Sequence, residues 1–159
     1  MNYVILCVDD EREVLDALGA DLKPFEKSGF VLEFASSVAE ARDVVADLEE
    51  DALALVLCDH LMPGTTGADF LVELFKNEGT KRTKKVLVTG QASLQDTVKA
   101  VNYAKLDHYV AKPWKGPELV KLVKDLLTDY VIAVDEEPQK FALALDFARI
   151  MEAAREKSF

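Results

Sequence analysis

Tyr3-Val4-Ile5-Leu6-Cys7-Val8-Asp9-Asp10 runs six apolar residues without interruption into two adjacent carboxylates. A continuous apolar run of this length reads as a strand buried on both faces, which occurs in parallel sheets covered by helices. The chain beyond repeats the theme. Val14, Leu15, Leu18 and Leu22 recur at helical spacing, and Pro24 and then Gly29 are predicted to punctuate the end of that helix. Phe30 to Phe34 reads as a second, shorter strand, and Ser36-Ser37 can cap a helix carrying Val38, Ala41, Val44, Val45 and Leu48. Ala52 to Cys58 is a third strand ending in Asp59, and a loop with Met62-Pro63-Gly64 and Gly67 leads to a helix with Phe70, Leu71 and Leu74. Lys85 to Thr89 is a fourth strand broken by Gly90, with a helix from about Leu94 to Ala104 behind it. Asp107 to Ala111 is a weak fifth strand, and Glu118 to Leu127 the next helix. Strand and helix alternate five times, which predicts an α/β fold with a doubly wound parallel sheet.

The 159 residues suit one domain with a short appendage, and half of them are hydrophobic, enough for a full core. Charged residues make up 30%, against the composition of a disordered chain. With 19 basic and 29 acidic residues the net charge is −10, which disfavours binding nucleic acid through this chain. No apolar run approaches the ~20 residues of a membrane span, and no basic segment precedes Tyr3. A soluble, cytoplasmic protein is expected. Lys81-Arg82-Lys84-Lys85 reads as a solvated loop, and Cys7 and Cys58 as buried, reduced thiols.

Binding sites of doubly wound sheets collect beyond the carboxyl ends of the strands. Asp9-Asp10, Asp59, Thr89 and Lys112 all fall there. If strands one and three are neighbours, three carboxylates meet, and a divalent cation relieves their repulsion. Magnesium suits such an oxygen-rich site. Lys112 and the Thr89 hydroxyl can hold phosphate oxygens, and an Asp carboxylate is a competent nucleophile towards an activated phosphoryl group. The chemistry suggests Asp59 as that nucleophile.

Those residues bring a family into view. Over residues 3–128 the chain resembles the receiver domain of two-component response regulators, the CheY-like superfamily. The likeness rests on Asp9-Asp10, on Leu57-Cys58-Asp59-His60-Leu61-Met62-Pro63-Gly64, on Val88-Thr89-Gly90, and on Tyr109 three residues before Lys112-Pro113. It implies a five-stranded sheet of order 2-1-3-4-5 flanked by five helices, with a receiver over 1–129; residues 130–159 stand outside that pattern and read as a helical extension or linker. It implies Asp59 as phosphoacceptor and Asp10 as a direct magnesium ligand. Asp9 would act through water, and the backbone carbonyl of Leu61 would be a further ligand. Thr89 and Tyr109 would form the switch pair, Lys112 would hold phosphate, and the Lys112-Pro113 bond would be cis. A histidine kinase or phosphotransfer protein would donate the phosphoryl group. The surface of the fourth helix, fifth strand and fifth helix would then change to control a partner or output domain. Catalysis would extend only to the domain's own phosphorylation and dephosphorylation.

Other readings place less weight on these motifs. A phosphatase with an Asp nucleophile needs a second Asp two residues on, where Leu61 stands. A flavodoxin-like cofactor carrier needs a hydroxyl-rich phosphate loop, where Asp9-Asp10-Glu11 stands. A degenerate receiver serving as a scaffold has no need of the intact acids, Thr89 and Lys112. His60 is expected in solvent, and Trp114 is expected to pack its loop onto the last helix. In the tail, Glu136-Glu137-Pro138 reads as a helix start and Gln139 to about Lys157 as one helix. Its stripe of Leu143, Phe147, Ile150 and Ala154 suggests self-association through Phe147 and Ile150, hence a possible homodimer.

Overall fold

The computed structural model describes residues 1–90 and 93–157. Two compact units make up the chain, residues 1–114 and 115–159.

The first unit is built on strands β1 (Tyr3–Val8), β2 (Val31–Ala35), β3 (Ala52–Cys58), β4 (Lys84–Thr89) and β5 (His108–Ala111). They form one parallel sheet in the order β2-β1-β3-β4-β5. Helices α1 (Arg12–Lys27), α2 (Val38–Ala46), α3 (Gly67–Lys76) and α4 (Leu94–Ala104) are the crossovers. Every residue of β1 is buried, as its unbroken apolar run requires. Leu6, Val56, Leu87, Phe70, Leu71 and Leu74 belong to one continuous core. Each fully buried side chain of this kind contributes about 1.5–3 kcal/mol. The α/β class and strand order are those expected.

Helix ends follow local chemistry. Pro24 lies inside α1 rather than ending it. The helix continues one more turn and stops at Gly29, which takes φ +102°. There Gly29 N–H donates to Glu26 O and Phe30 N–H to Phe25 O, the paired bonds of a glycine-terminated helix. Ser37 caps α2 by accepting from Glu40 N–H, while the Glu40 carboxylate accepts from Ser36 N–H.

The basic cluster is a solvated turn only in its first half, where Lys81 and Arg82 are exposed. Lys84 and Lys85 start β4, and Lys85 is 1% exposed. Its ammonium donates to Lys81 O at 3.1 Å and Thr83 O at 2.6 Å, and it lies 5.6 Å from the centre of the Phe75 ring. Burial pulls its pKa down to about 8, against the pull of Asp107 and with the push of Lys84. A turn that needs its carbonyls covered has taken the charge inside.

The second unit comprises α5 (Gly116–Val134), a 3-10 turn at Pro138–Phe141 and α6 (Phe147–Lys157). The boundary expected at 129/130 falls within α5. The single tail helix expected from Gln139 is broken at 142–146. Asp146 is the reason: its carboxylate accepts from Arg149 N–H at 3.2 Å, capping α6, and its own N–H donates to the Thr128 hydroxyl at 3.1 Å. That bond to α5 outweighs the helix propensity of the alanine-rich segment. Lys157 closes the unit by donating to Asp135 O at 2.6 Å, and Arg149 pairs with Asp129. The break also splits the tail stripe. Ile150 is fully buried while Leu143, Phe147 and Met151 are exposed, so Ile150 has no surface to offer a second copy.

Candidate functional site

β1 and β3 lie side by side, with Val8 opposite Cys58. Their ladder continues one residue past the strands, Asp59 N–H donating to Val8 O at 2.9 Å. That pairing brings Asp59 beside Asp9. Asp9, Asp10 and Asp59 each present a carboxylate oxygen within 4.8 Å of the others. Asp9 and Asp59 are buried and Asp10 is exposed. Asp10 and Asp59 border a cleft of about 390 Å³, lined also by Glu11, Leu61, Thr89 and Lys112.

Lys112 reaches into it from the end of β5, with its ammonium 2.6 Å from Asp9 Oδ2 and 3.5 Å from Asp59 Oδ1. Partial burial pulls the ammonium's pKa down. The hydrogen bond to Asp9 and the charges of Asp59, Asp9 and Glu11 outweigh it and leave the pKa above the ordinary value. The other Asp9 oxygen accepts from Glu11 N–H at 2.9 Å. Both Asp9 oxygens are therefore engaged, whereas Asp10 faces the open cleft. Three carboxylates against one ammonium leave an excess of negative charge, and a hard divalent cation fits such an oxygen set. Beneath the site, burial and then the charges of Asp59 and Asp9 push the Cys58 thiol far up, which makes it an inert core residue. Cys7 is pushed up to about 12 by burial alone.

The loop after Asp59 is fixed by contact with a glycine. Gly67 N–H donates to His60 O at 2.9 Å, and a Cβ at position 67 would sit 1.9 Å from Asp59 O. Only glycine lets α3 begin that close to Asp59. Thr66 caps the helix by accepting from Asp69 N–H at 3.2 Å.

Thr89 is buried at the end of β4. Tyr109 is half-buried, and its hydroxyl donates to Thr89 O at 3.0 Å. The Lys112-Pro113 peptide is cis. Trp114 is tied to the first helix, its indole N–H donating to Asp21 at 2.8 Å. His60 is not in solvent. It is 2% exposed, with Nε2 3.0 Å from Asp96 at the start of α4. The sequence carried no signal for it, since Asp10 likewise follows a buried strand and a buried Asp and is exposed.

The family model of the response regulator receiver domain matches residues 5–124. The chain belongs to that family. Receivers with known sequences and structures agree. A hydrogenase transcriptional regulatory protein, HoxA, of Cupriavidus necator is 33% identical over 120 residues, 76% of this chain and 23% of that protein. The transcriptional regulatory protein CpxR of Escherichia coli is 32% identical over 127 residues, 80% of this chain and 50% of that protein. The chain thus spans between about a quarter and a half of these regulators. Among solved structures, a CheY-like response regulator receiver from Methanospirillum hungatei superposes with a TM-score of 0.67 at 30% identity, covering 82% of this chain and 97% of that one. The signal receiver domain of an HD domain-containing protein from Pseudomonas fluorescens gives 0.71 at 26% identity, covering 81% and 89%. Among the described residues, no helix of this receiver is long and apolar enough to cross a membrane.

Proposed function

We propose that this receiver is a phosphorylation-dependent switch of the cytoplasm, charged on Asp59 by a histidine kinase or phosphotransfer protein. The observation that carries the reading is the cluster of Asp9, Asp10 and Asp59 with Lys112 poised between two of them. An Asp59 carboxylate oxygen attacks the phosphorus of a phosphohistidine. The O–P bond forms as the P–N bond breaks, and the ring nitrogen leaves with the bonding pair. Lys112 neutralises a phosphoryl oxygen and, to reach it, gives up its bond to Asp9. Magnesium, held by Asp10, Asp59 and the Leu61 carbonyl with Asp9 through water, would supply charge neutralisation for the same oxygens. The engagement of both Asp9 oxygens supports its indirect role.

Thr89 is the group that answers the new phosphate, with its hydroxyl donating to it. Because Tyr109 hangs on the Thr89 carbonyl, a shift of Thr89 draws Tyr109 with it. The exposed faces of α4 and β5, and of α5 after them, change to control a partner or an output domain. Val98 and Val101, one turn apart on α4, are both exposed. The domain catalyses nothing beyond its own phosphorylation and dephosphorylation. In the tail, contact with a second copy would run through Phe147, flanked by Leu143 and Met151.

Acetyl phosphate tests the acceptor. Intact-mass spectrometry is expected to find one phosphate adduct, formed only with a divalent cation and absent in Asp59→Asn. An adduct persisting in that variant would move the nucleophile elsewhere.

A further inference from the structure

We propose that His60, the residue after the acceptor, is a positioning residue whose buried ring, hydrogen-bonded to Asp96, ties the first turn of α4 to the acceptor loop and restrains α4 before phosphoryl transfer. The proposal rests on the reading of Asp59 as acceptor and of α4 as a responding element.

Both ring nitrogens of His60 are used. Ala68 N–H donates to Nδ1 at 3.4 Å, which leaves the ring proton on Nε2, and Nε2 lies 3.0 Å from Asp96 Oδ2. The far end is anchored as well. Ser93 Oγ donates to the same Asp96 oxygen at 2.8 Å, and Asp96 N–H donates back to Ser93 Oγ at 3.1 Å, so the carboxylate belongs to the cap of α4. The near end cannot follow a moving helix, because the His60 carbonyl is held by Gly67 and the residue is bonded directly to Asp59. A displacement of the first turn of α4 therefore breaks a charge-assisted hydrogen bond and strands a buried ring N–H.

A second tie runs parallel one turn on, from Lys99 to Asp69 on α3 at 2.5 Å. Both of its side chains are nearly half exposed, so water and salt weaken it. The His60 side chain is 3% exposed. Of the two restraints, only the one next to the acceptor has an end shielded from solvent. Charge delivered to Asp59 acts on the loop that carries His60, and His60 is where that loop holds α4.

Amide hydrogen exchange on the whole chain tests this, read at residues 97–104 of α4 and at residues 53–57 of β3. His60→Leu and Asp96→Ala are each expected to speed exchange in α4 about tenfold while leaving β3 unchanged. The double variant should be no faster than Asp96→Ala, which removes the tie together with the bond from Ser93 Oγ. His60→Gln, which keeps a side-chain N–H able to reach Asp96, should return α4 to within about threefold of the parent. Lys99→Ala should raise exchange about twofold at most, as an exposed pair predicts. Unchanged α4 exchange in His60→Leu, or two effects that multiply in the double variant, would overturn the proposal. Should His60→Leu fail to fold, Asp96→Ala against Ser93→Ala, which removes the cap bonds and leaves the tie, decides instead: equal α4 exchange in the two would overturn the proposal. Acetyl phosphate labelling of the same samples separates the premises: loss of the adduct from the parent sinks the acceptor reading, while the α4 rates still judge the tie.

Discussion

The two ends of β4 bury charge in opposite ways. At its amino end, Lys85 is covered completely, its ammonium donating to Lys81 O and Thr83 O. Asp107 closes the same corner, accepting from Lys85 N–H at 2.8 Å and donating its own N–H to Lys85 O at 2.8 Å. At the carboxyl end, Thr89 faces a cleft where Asp10 is exposed and Lys112 is shared between two acids. The first arrangement is self-sufficient and serves the fold. The second is left with excess negative charge, which the proposed cation would offset. Buried charge by itself marks neither end as functional; what decides is whether the chain supplies every partner.

Substitutions at each end sharpen that contrast. Gly67→Ala should have the largest effect, about 3 kcal/mol of lost stability by urea denaturation, because its Cβ would collide with the Asp59 carbonyl. It should also lose the phosphate adduct, whereas a variant with parental stability would show that the loop has room to yield. Lys85→Met should cost about 2 kcal/mol by leaving two carbonyls uncovered. It should also remove a pH dependence. Lys85 has a folded pKa of about 8, below its unfolded value of 10.5, so between them the unfolded chain binds more protons and stability rises with pH. Cys7, raised to about 12, opposes this above its unfolded value of 9.0. The rise should therefore be seen between pH 8 and 9 in the parent and be absent in Lys85→Met. An identical slope in both proteins would place the charge elsewhere.

At the open end, Asp10→Ala should weaken magnesium binding at least tenfold, about 1.4 kcal/mol, measured by calorimetric titration. Asp9→Ala should weaken it less, since both Asp9 oxygens already have partners. Equal losses would contradict the division between direct and water-mediated roles. The smallest effect belongs to the tail. Phe147→Ser should change stability by less than about 0.5 kcal/mol because the ring is exposed. If the tail meets a second copy, light scattering on the whole chain should lose that association with the ring. A parent that is monomeric with and without beryllofluoride would remove self-association from the proposal.

The sheet and the acid cluster were legible because they are local. A strand buried on both faces must be apolar throughout, and a residue ending such a strand must stand at the sheet's rim, so Asp9, Asp59, Thr89 and Lys112 declare themselves in order. The failures share one cause, a polar side chain held by a bond outside the apolar pattern, from two and four residues away for Lys85 and from another helix for His60 and Asp146. Lys85 looked like loop charge because the carbonyls that hold it are set by a turn. His60 looked like surface because Asp96 comes from another helix, well along the chain. Asp146 looked like one residue within a helix because the Thr128 hydroxyl that receives its N–H belongs to α5. Periodicity registers none of these bonds.

The unbroken course of α5 from Gly116 to Val134 also governs where this gene can be cut. A product stopping at residue 129 would finish in mid-helix, with Thr128 deprived of the N–H it receives and Asp129 of its guanidinium. Frayed carbonyls and newly bared apolar side chains would make such a fragment sticky for reasons unrelated to signalling. Reporters and fusion partners are better joined beyond Lys157, where the seam leaves α5, Thr128 and the cap of α6 whole.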